Sequence, residues 1–428
     1  MRKATPILVF LFVLLLCWLF SLFHAQSAGV EWDALQKEAR ELCNSGKYDR
    51  ALLVAQKALQ VAEKKVGPNH PDVALSLSIL GDIYKCQGDY DSAEALYKRT
   101  LAIWEKAKGP DNTLATGLNN LGDLYYTKGD YDSAEPLLKR ALAIYEKVLG
   151  PGHPYVATCL NNLGSVYENR SDYDSAEPLL KRALAIFEKA KGPDHPDVAT
   201  GLHNLGSVYE NRSDYASAEP LFKRALTIYE KAKGPDHPDV ATALNNLGLL
   251  YKNRGDYDSA EALYKRALAI AEKAKGPDDT FVAICLGNLG DLYYTKGDYD
   301  SAEPLFKREL TIYEKAKGPD DTFVAICLSN LGDLYYTKGD YDSAEALYKR
   351  ELAIYEKANA PDNALVVFCL KILGTLYMER GDFASAEPLL KRELAIEEKL
   401  LGPDSPYVAT CLENLARLYK ATKRISEA

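Results

Sequence analysis

Histidine and cysteine are the residues of this chain that most often carry catalysis or bind metals. Four of the six histidines lie in equivalent loops, at His70, His153, His195 and His237. The ligands of one metal ion must converge within a few ångströms, but these loops fall in different repeats of a periodic sequence, so we predict that each histidine caps its own loop. The sequence also lacks a His-Glu-x-x-His motif, a phosphate-binding glycine-rich loop, a Gly-x-Ser-x-Gly elbow and a Cys-x-x-Cys pair. We therefore predict no catalytic residue, no metal site, no cofactor and no enzymatic activity.

Cysteines follow the same repeat. Beyond the first 27 residues they are Cys43, Cys86, Cys159, Cys285, Cys327, Cys369 and Cys411. An odd number in an exported protein would suggest a disulfide or a reactive thiol. However, the last five share one repeat position where other repeats have Gly117, Gly201 or Ala243, and equivalent Cα atoms of stacked repeats should lie about 8–10 Å apart. A disulfide requires less than roughly 7 Å, so we predict buried, free structural thiols.

The first helix of each repeat has a polar stripe at i, i+4, i+7 and i+11, and asparagine occupies one of its positions almost throughout, with Ile372 an exception. The asparagines are Asn120, Asn162, Asn204, Asn246, Asn288, Asn330 and Asn414. An amide offers two donors and an acceptor, which suits the backbone of an extended peptide. The same amides could instead bond to one another or to neighbouring turns as a structural ladder. The two interpretations are compatible, and both stay open.

Aspartate and tyrosine accompany the asparagines on the same stripe in some repeats. The acidic candidates are Asp123, Asp291 and Asp333, and the aromatic candidates are Tyr126, Tyr294 and Tyr336. Tyrosine is enriched at binding hot spots, so these rings could anchor the side chains of a ligand. The alternative is a half-exposed tyrosine that serves packing alone.

A repeat of about 42 residues must position all of these side chains. Its marker glycines, at intervals of 42 residues, are Gly122, Gly164, Gly206, Gly248, Gly290, Gly332 and Gly374. In one repeat Leu202, Leu205 and Val208 follow helical spacing, a Ser-Asp or Gly-Asp turn supplies an N-cap, and a second helix ends at a Gly-Pro pair. A glycine within a helix costs about 1 kcal/mol relative to alanine, so we infer that it permits close approach of the two helices.

The periodicity predicts nine helical hairpins and a terminal helix within residues 30–428. We place the hairpins at about 31–69, 72–111, 113–153, 155–195, 197–237, 239–279, 281–321, 323–362 and 365–404, and a capping helix at 407–421. Glu309, Glu351 and Glu393 stand where earlier repeats have alanine. We expect each of these glutamates at the edge of the seam between repeats.

The repeat resembles the tetratricopeptide repeat in its small-Leu-x-x-Leu-Gly-x-Leu-Tyr run, with alanine twelve residues after the glycine. Its Leu-Asn-Asn-Leu-Gly core, Tyr-Asp-Ser-Ala-Glu-Pro-Leu helix start and Gly-Pro-Asp-His-Pro loop are similar to the kinesin-light-chain subtype. The resemblance implies an all-α solenoid, a right-handed α–α superhelix, whose concave groove is lined by the polar stripe. Family members that bind a C-terminal carboxylate have a lysine before the asparagine. Here only Lys371 is basic at that position, so the resemblance favours a neutral or basic ligand.

The first 27 residues differ from the repeat. Arg2 and Lys3 precede an apolar run at residues 7–23, and Ala25-Gln26-Ser27 provides a cleavage site, which together predict a signal peptide at residues 1–27. The run approaches the ~20 residues that span a membrane, so an uncleaved signal anchor is the alternative. Either form places the repeats outside the cytoplasm, in a secreted or periplasmic protein or on a membrane anchor.

Charge argues against a nucleic-acid partner, because 61 acidic and 52 basic residues are interleaved and give a net charge of −9. We predict an exported, monomeric, non-catalytic scaffold that binds a protein or peptide, with membrane contact only through residues 7–23 if the signal is uncleaved. The alternatives are a membrane-anchored structural spacer or assembly factor and, more distantly, an enzyme.

Overall fold

The computed structural model of the protein describes residues 28–107, 111–358 and 363–424. These ranges form nineteen α-helices and no strand, which confirms the predicted all-α class. In chain order the helices are α1 Val30–Asn44, α2 Tyr48–Val66, α3 Pro71–Gln87, α4 Tyr90–Ala107, α5 Asp111–Thr127, α6 Tyr131–Leu149, α7 Pro154–Asn169, α8 Tyr173–Lys191, α9 Pro196–Asn211, α10 Tyr215–Lys233, α11 Pro238–Arg254, α12 Tyr257–Lys275, α13 Thr280–Thr295, α14 Tyr299–Lys317, α15 Thr322–Lys338, α16 Tyr341–Ala358, α17 Ala364–Glu379, α18 Phe383–Leu401 and α19 Pro406–Ala421.

The predicted signal peptide or anchor, including its apolar run at residues 7–23, lies outside the described residues. Among the helices that the structure does describe, none combines the length and the apolar character needed to cross a bilayer.

The described residues form two compact units, which divide between Arg212 and Ser213. In the first unit α1 packs on α2, α3 on α4, α5 on α6 and α7 on α8; in the second, α11 packs on α12, α13 on α14, α15 on α16 and α17 on α18. Within each unit every second helix of a repeat also contacts the first helix of the next repeat. This arrangement confirms the predicted stack of helical hairpins in each unit.

Polar side chains begin the helices at the predicted turns. Asp172 is the N-cap of α8, and its carboxylate accepts a hydrogen bond from the backbone N–H of Ser175 at 3.1 Å. His195 is the N-cap of α9, and its Nδ1 accepts from the N–H of Asp197 at 3.1 Å. The equivalent residues His70, His153 and His237 do the same. The predicted loop-capping role of these four histidines is therefore confirmed.

The marker glycines lie where the two helices of a hairpin pack tightly against each other. A Cβ atom added to Gly164 would be 2.7 Å from Leu180, and one added to Gly332 would be 2.6 Å from Tyr348. These distances are shorter than van der Waals contact allows. The helix-to-helix approach inferred from the sequence is therefore a property of the structure, and it explains why a residue with low helix propensity recurs at this position.

The repeated cysteine position is buried, as predicted. Cys159, Cys285, Cys327, Cys369 and Cys411 are free thiols with at most 2 % exposure. The Cys159 thiol donates to the backbone carbonyl of Leu138 at 3.1 Å. Burial, the largest cause, raises the pKa of Cys159 to about 12, so this thiol is protonated and unreactive near neutral pH.

The expectation that three glutamates lie at the edge of the seam between repeats is wrong. Glu309, Glu351 and Glu393 are only 6 %, 1 % and 2 % exposed, because the repeat register determines burial at this position regardless of residue type. In each of them the Oε2 atom has no hydrogen-bond partner among the described residues. The Cys411 thiol donates to Oε1 of Glu393 at 3.3 Å, while Cys327 and Cys369 lie against Glu309 and Glu351.

A second glutamate position joins neighbouring repeats at the surface. Glu303 of α14 accepts hydrogen bonds from Lys307 one turn later, and from Tyr335 and Lys338 of the following helix α15, at 2.7–2.9 Å. We call this arrangement the glutamate latch. Other latches are centred on Glu94, Glu135, Glu177, Glu219, Glu261, Glu345 and Glu387. Hydrogen bonds from Lys307 and Lys338 lower the pKa of Glu303 to about 2, so the latch stays ionised over the physiological range.

Candidate functional site

The polar stripe of each first helix lies opposite its buried face. In α9 the stripe runs through Thr200, Asn204 and Ser207, while Leu202 and Leu205 on the other side are at most 4 % exposed. All thirteen predicted site residues are half-buried, with part of each side chain open to solvent. They are Asn120, Asn162, Asn204, Asn246, Asn288, Asn330, Asn414, Asp123, Tyr126, Asp291, Tyr294, Asp333 and Tyr336.

The asparagines of the first unit form hydrogen bonds between neighbouring first helices. The Nδ2 atom of Asn162 donates to Oδ1 of Asn119 at 3.2 Å. Longer bonds of 3.4 Å join Asn120 to Ser78 and Asn204 to Ser165. Across the residues that the structure describes, the side chains of Asn288, Asn330 and Asn414 form no hydrogen bond. Contacts of the ladder type are therefore found for the stripe asparagines of the first unit, whereas three stripe asparagines of the second unit have none among the described residues.

The three aspartates differ in how their charge is compensated. Asp123 forms an ion pair with Lys85, and Asp291 forms one with Lys252, in each case from the preceding first helix. Asp333 instead accepts a hydrogen bond from the Tyr348 hydroxyl at 2.5 Å. Burial raises the pKa of Asp333, and the bond from Tyr348 acts in the opposite direction.

The three tyrosines are fixed by polar contacts to the next repeat. The Tyr126 hydroxyl accepts from Asn169 at 3.0 Å, Tyr294 and Thr337 share a hydrogen bond of 3.0 Å, and Tyr336 donates to Glu379. Burial and the contact with Glu379 raise the pKa of Tyr336 to about 12. These rings are held in place at the stripe with part of their surface exposed, which suits a preformed contact for a ligand.

Sequence reasoning missed the apolar residues at the first position of the stripe. Ile284, Ile326 and Phe368 are 46 %, 49 % and 48 % exposed. Earlier repeats have threonine there, at Thr158 and Thr200, so the change from threonine to a large apolar residue is visible in the sequence. It was passed over because an apolar residue on a helix is ordinarily assigned to the core.

A cavity of about 340 Å³ lies beside the first helix of the chain, away from the predicted site residues. Trp32, Gln36, Arg40 and Leu75 are among its lining residues. Two of these residues, Trp32 and Gln36, donate hydrogen bonds to the Ser76 hydroxyl. Because these donors are already engaged within the protein, we do not assign the cavity to ligand binding.

Three solved structures are similar to this chain to different degrees. Over 54 % of this chain and 92 % of the other, BtubC (BKLC) from P. vanneervenii is 26 % identical, with a TM-score of 0.46. A putative kinesin light chain of Podosopora anserina with nearly identical TPR-like repeats is 23 % identical over 48 % of this chain and 98 % of its own, with a TM-score of 0.42. A Rap protein complexed with Competence and Sporulation Factor is 16 % identical over 93 % of this chain and 99 % of its own, with a TM-score of 0.57.

No curated protein sequence matches the chain significantly. The sequence model of the tetratricopeptide repeat family, in contrast, matches most of it. The matched residues are 39–106, 113–189, 163–231, 197–273, 239–315, 281–357 and 367–428. Together with the stacked helical hairpins, these matches show that the chain belongs to the tetratricopeptide repeat family.

Proposed function

We propose that this protein is a non-catalytic scaffold that binds a protein or peptide along the polar stripes of its first helices, outside the cytoplasm. One observation carries the proposal: on successive first helices, half-exposed amide, carboxylate and phenol groups occupy the same positions, while the apolar face of each helix is already used for packing. A row of such groups can meet the backbone donors and acceptors of a ligand that crosses several repeats.

The charge of the surface favours a neutral or basic ligand. The whole chain carries a net charge of −9, and Asp123, Asp291 and Asp333 add carboxylates to the stripe. Relatives that hold a terminal carboxylate have lysine at the position before the stripe asparagine. Here that position is basic only at Lys371, in the repeat that has Ile372 in place of the asparagine. The Rap protein with the same fold was solved in complex with Competence and Sporulation Factor, which supports ligand binding as a use of this architecture.

The amide row of the first unit is tested by changing Asn120, Asn162 and Asn204 together to alanine. We expect the affinity for ligands captured by the wild-type protein to fall at least tenfold, because each amide loses its hydrogen bonds to the ligand backbone, and we expect the helical circular dichroism to be unchanged. A net hydrogen bond is worth only about 1 kcal/mol, so loss of the half-exposed ladder bonds should not unfold the array.

A matched control changes three exposed lysines on the second helices of the first unit, Lys98, Lys139 and Lys181, to alanine. Their side chains are 54–56 % exposed and form ion pairs with the glutamate one turn earlier. Each ammonium also lies over a tyrosine ring of the next repeat, outside the stripe. This control should bind as the wild type does. If the asparagine variant bound its ligands as tightly as the wild type does, the polar stripe would not be the binding surface.

The location outside the cytoplasm rests on the apolar run at residues 7–23 and the small residues before Ala28. Amino-terminal sequencing of the mature protein, recovered from the envelope or medium of its source, should begin at Ala28. A mature protein that retains residues 1–27 would favour the membrane-anchored spacer, and a protein found only in the cytoplasm would contradict export.

A further inference from the structure

Three apolar side chains form an exposed row on successive first helices of the second unit. Ile284 of α13, Ile326 of α15 and Phe368 of α17 are 46–49 % exposed. Each begins the stripe of its helix, four residues before Asn288, Asn330 and Ile372 respectively, so the row borders the stripe asparagines on the same helix face. We call these three residues the apolar row.

Packing does not account for the apolar row. The core of this part of the unit is formed by other residues of the same helices, such as Cys285 and Leu286, which are fully buried. At the equivalent position α7 and α9 have Thr158 and Thr200, whose hydroxyls donate to backbone carbonyls of their own helices at 3.3 Å. The fold therefore accepts a polar residue here. Three large apolar residues in succession on an exposed surface are typical of an interaction site.

A carboxylate without a cation lies on the same stripe as the apolar row, two helical turns after Ile326. Asp123 and Asp291 are paired with Lys85 and Lys252, whereas Asp333 has no lysine or arginine within ion-pair distance in the described ranges. In the repeat before that of Asp333, Tyr294 occupies the position equivalent to Lys252, and its hydroxyl shares a hydrogen bond with Thr337. Among the described residues, the Asp333 carboxylate is bonded only to the Tyr348 hydroxyl, through one oxygen. This part of the stripe can therefore accept a positive charge from a ligand.

The spacing of the helices indicates the form of the ligand. Helices α13 and α15 are in contact, and packed helices lie about 8–10 Å apart. A polyproline-II segment rises about 3.1 Å per residue and repeats every third residue, so side chains on one of its faces are separated by roughly 9 Å. Such a segment would place one side chain on each member of the apolar row.

We propose that the second unit binds an extended, polyproline-II-like peptide that has a large apolar side chain at every third residue and a lysine or arginine that pairs with Asp333. This inference rests on the proposed function and specifies the ligand: the apolar row receives the apolar side chains, and Asn288 and Asn330 meet the intervening backbone. The first unit, with threonine in place of the apolar row, does not share this preference.

The test uses the full-length protein and a fluorescein-labelled synthetic peptide with leucine at every third position and a central lysine. Its two counterparts have serine for each leucine or glutamate for the lysine. Fluorescence anisotropy should show at least tenfold weaker binding of each counterpart. The Ile284→Thr, Ile326→Thr, Phe368→Thr variant, which restores the threonine of earlier repeats, should bind the leucine peptide at least tenfold more weakly, with an unchanged circular dichroism spectrum.

Two further variants serve as controls. Leu400→Thr removes an apolar residue of the same unit that is 45 % exposed but lies outside the stripe, and it should bind the leucine peptide as the wild type does. Asp333→Asn should weaken binding of the lysine peptide several-fold and leave binding of a norleucine-substituted peptide unchanged.

Several results would overturn the inference. One is equal binding of the leucine and serine peptides, and another is full binding by the threonine variant. If the threonine variant binds the leucine peptide normally while the asparagine-to-alanine variant fails to bind its ligands, the proposed function is supported and this inference is wrong. If neither variant loses binding, the proposed function and this inference are both wrong. Self-association that the threonine variant abolishes, without peptide binding, would assign the apolar row to a second copy of the chain.

Discussion

Replacing Gly164 by valine should destabilise the first unit by roughly 3 kcal/mol, the upper end of the usual penalty for overpacking a core. A Cβ atom at this position would lie 2.7 Å from both Cγ and Cδ2 of Leu180. Leu180 is fully buried, so it has no free space into which to move. The two helices of the hairpin would have to separate, and the contacts of the neighbouring repeats would weaken with them.

Urea denaturation followed by far-ultraviolet circular dichroism measures this effect, and Gly201→Ala provides the matched control. A Cβ atom at Gly201 would meet Leu184 at 3.5 Å, an ordinary contact. Because alanine favours a helix over glycine by about 1 kcal/mol, this variant should be as stable as the wild type or more stable. Equal losses of stability in the two variants would show that helix–helix approach is not the reason for the marker glycine.

Exchanging Glu309, Glu351 and Glu393 for glutamine should remove a large pH dependence from the stability of the second unit. Burial raises the pKa of Glu309 and of Glu351 from 4.5 to about 7, and it also raises the pKa of Glu393. No cation forms an ion pair with these carboxyls in the described part of the chain. The folded state therefore retains their protons at pH values where the unfolded chain has lost them.

The direction of the pH dependence follows from this difference in pKa between the folded and unfolded states. The stabilisation is fully present below pH 4.5, the unfolded value, and it is lost as the pH rises through the folded value near 7. A difference of this size corresponds to about 3 kcal/mol for each of Glu309 and Glu351. The wild-type second unit should consequently be several kcal/mol less stable at pH 8 than at pH 5, and the glutamine variant should lose most of this difference.

Hydrogen exchange measured for peptides of α14, α16 and α18, after correction for the intrinsic rates at each pH, reports the stability of this region alone. The control replaces Glu314, Glu356 and Glu398 on the same three helices by glutamine. Glu314 and Glu356 are about one-third exposed and pair with arginines at the surface, so this variant should keep the pH dependence of the wild type. A wild-type protein equally protected at both pH values would show that the three buried glutamates find a counter-charge on ionisation.

Local signals in the sequence were sufficient to predict the hairpins, because each repeat carries its own caps, stops and apolar faces. The aspartate before the second helix and the histidine before the first both cap as expected. The prediction for the three glutamates was wrong because the charge of the side chain received more weight than its position in the repeat. Ala183 and Ala225, which are at most 1 % exposed, occupy the same position as Glu351, and this equivalence alone would have predicted its burial.

The contacts of the candidate site could not be read from the sequence. The pairing of Asp291 with Lys252, and its absence at Asp333, depends on which residue of one first helix lies opposite which residue of the next. That relation is set by the angle and offset between stacked helices, and periodicity fixes neither quantity. Sequence alone could name the members of the stripe, but not which of them are already engaged by a neighbour.

The glutamate latch makes it easier for such a gene to gain repeats. Each repeat from the third to the ninth carries a glutamate that receives the tyrosine and the basic residue of its successor, and it offers its own tyrosine and basic residue to its predecessor. A copied repeat therefore arrives with compatible partners on both sides, and an in-frame duplication requires no compensating mutation. Residues 276–316 and 318–358 differ at only four positions, as recombination between neighbouring repeats would leave them. Such proteins can change length in steps of one hairpin while selection acts on the few residues that differ between copies.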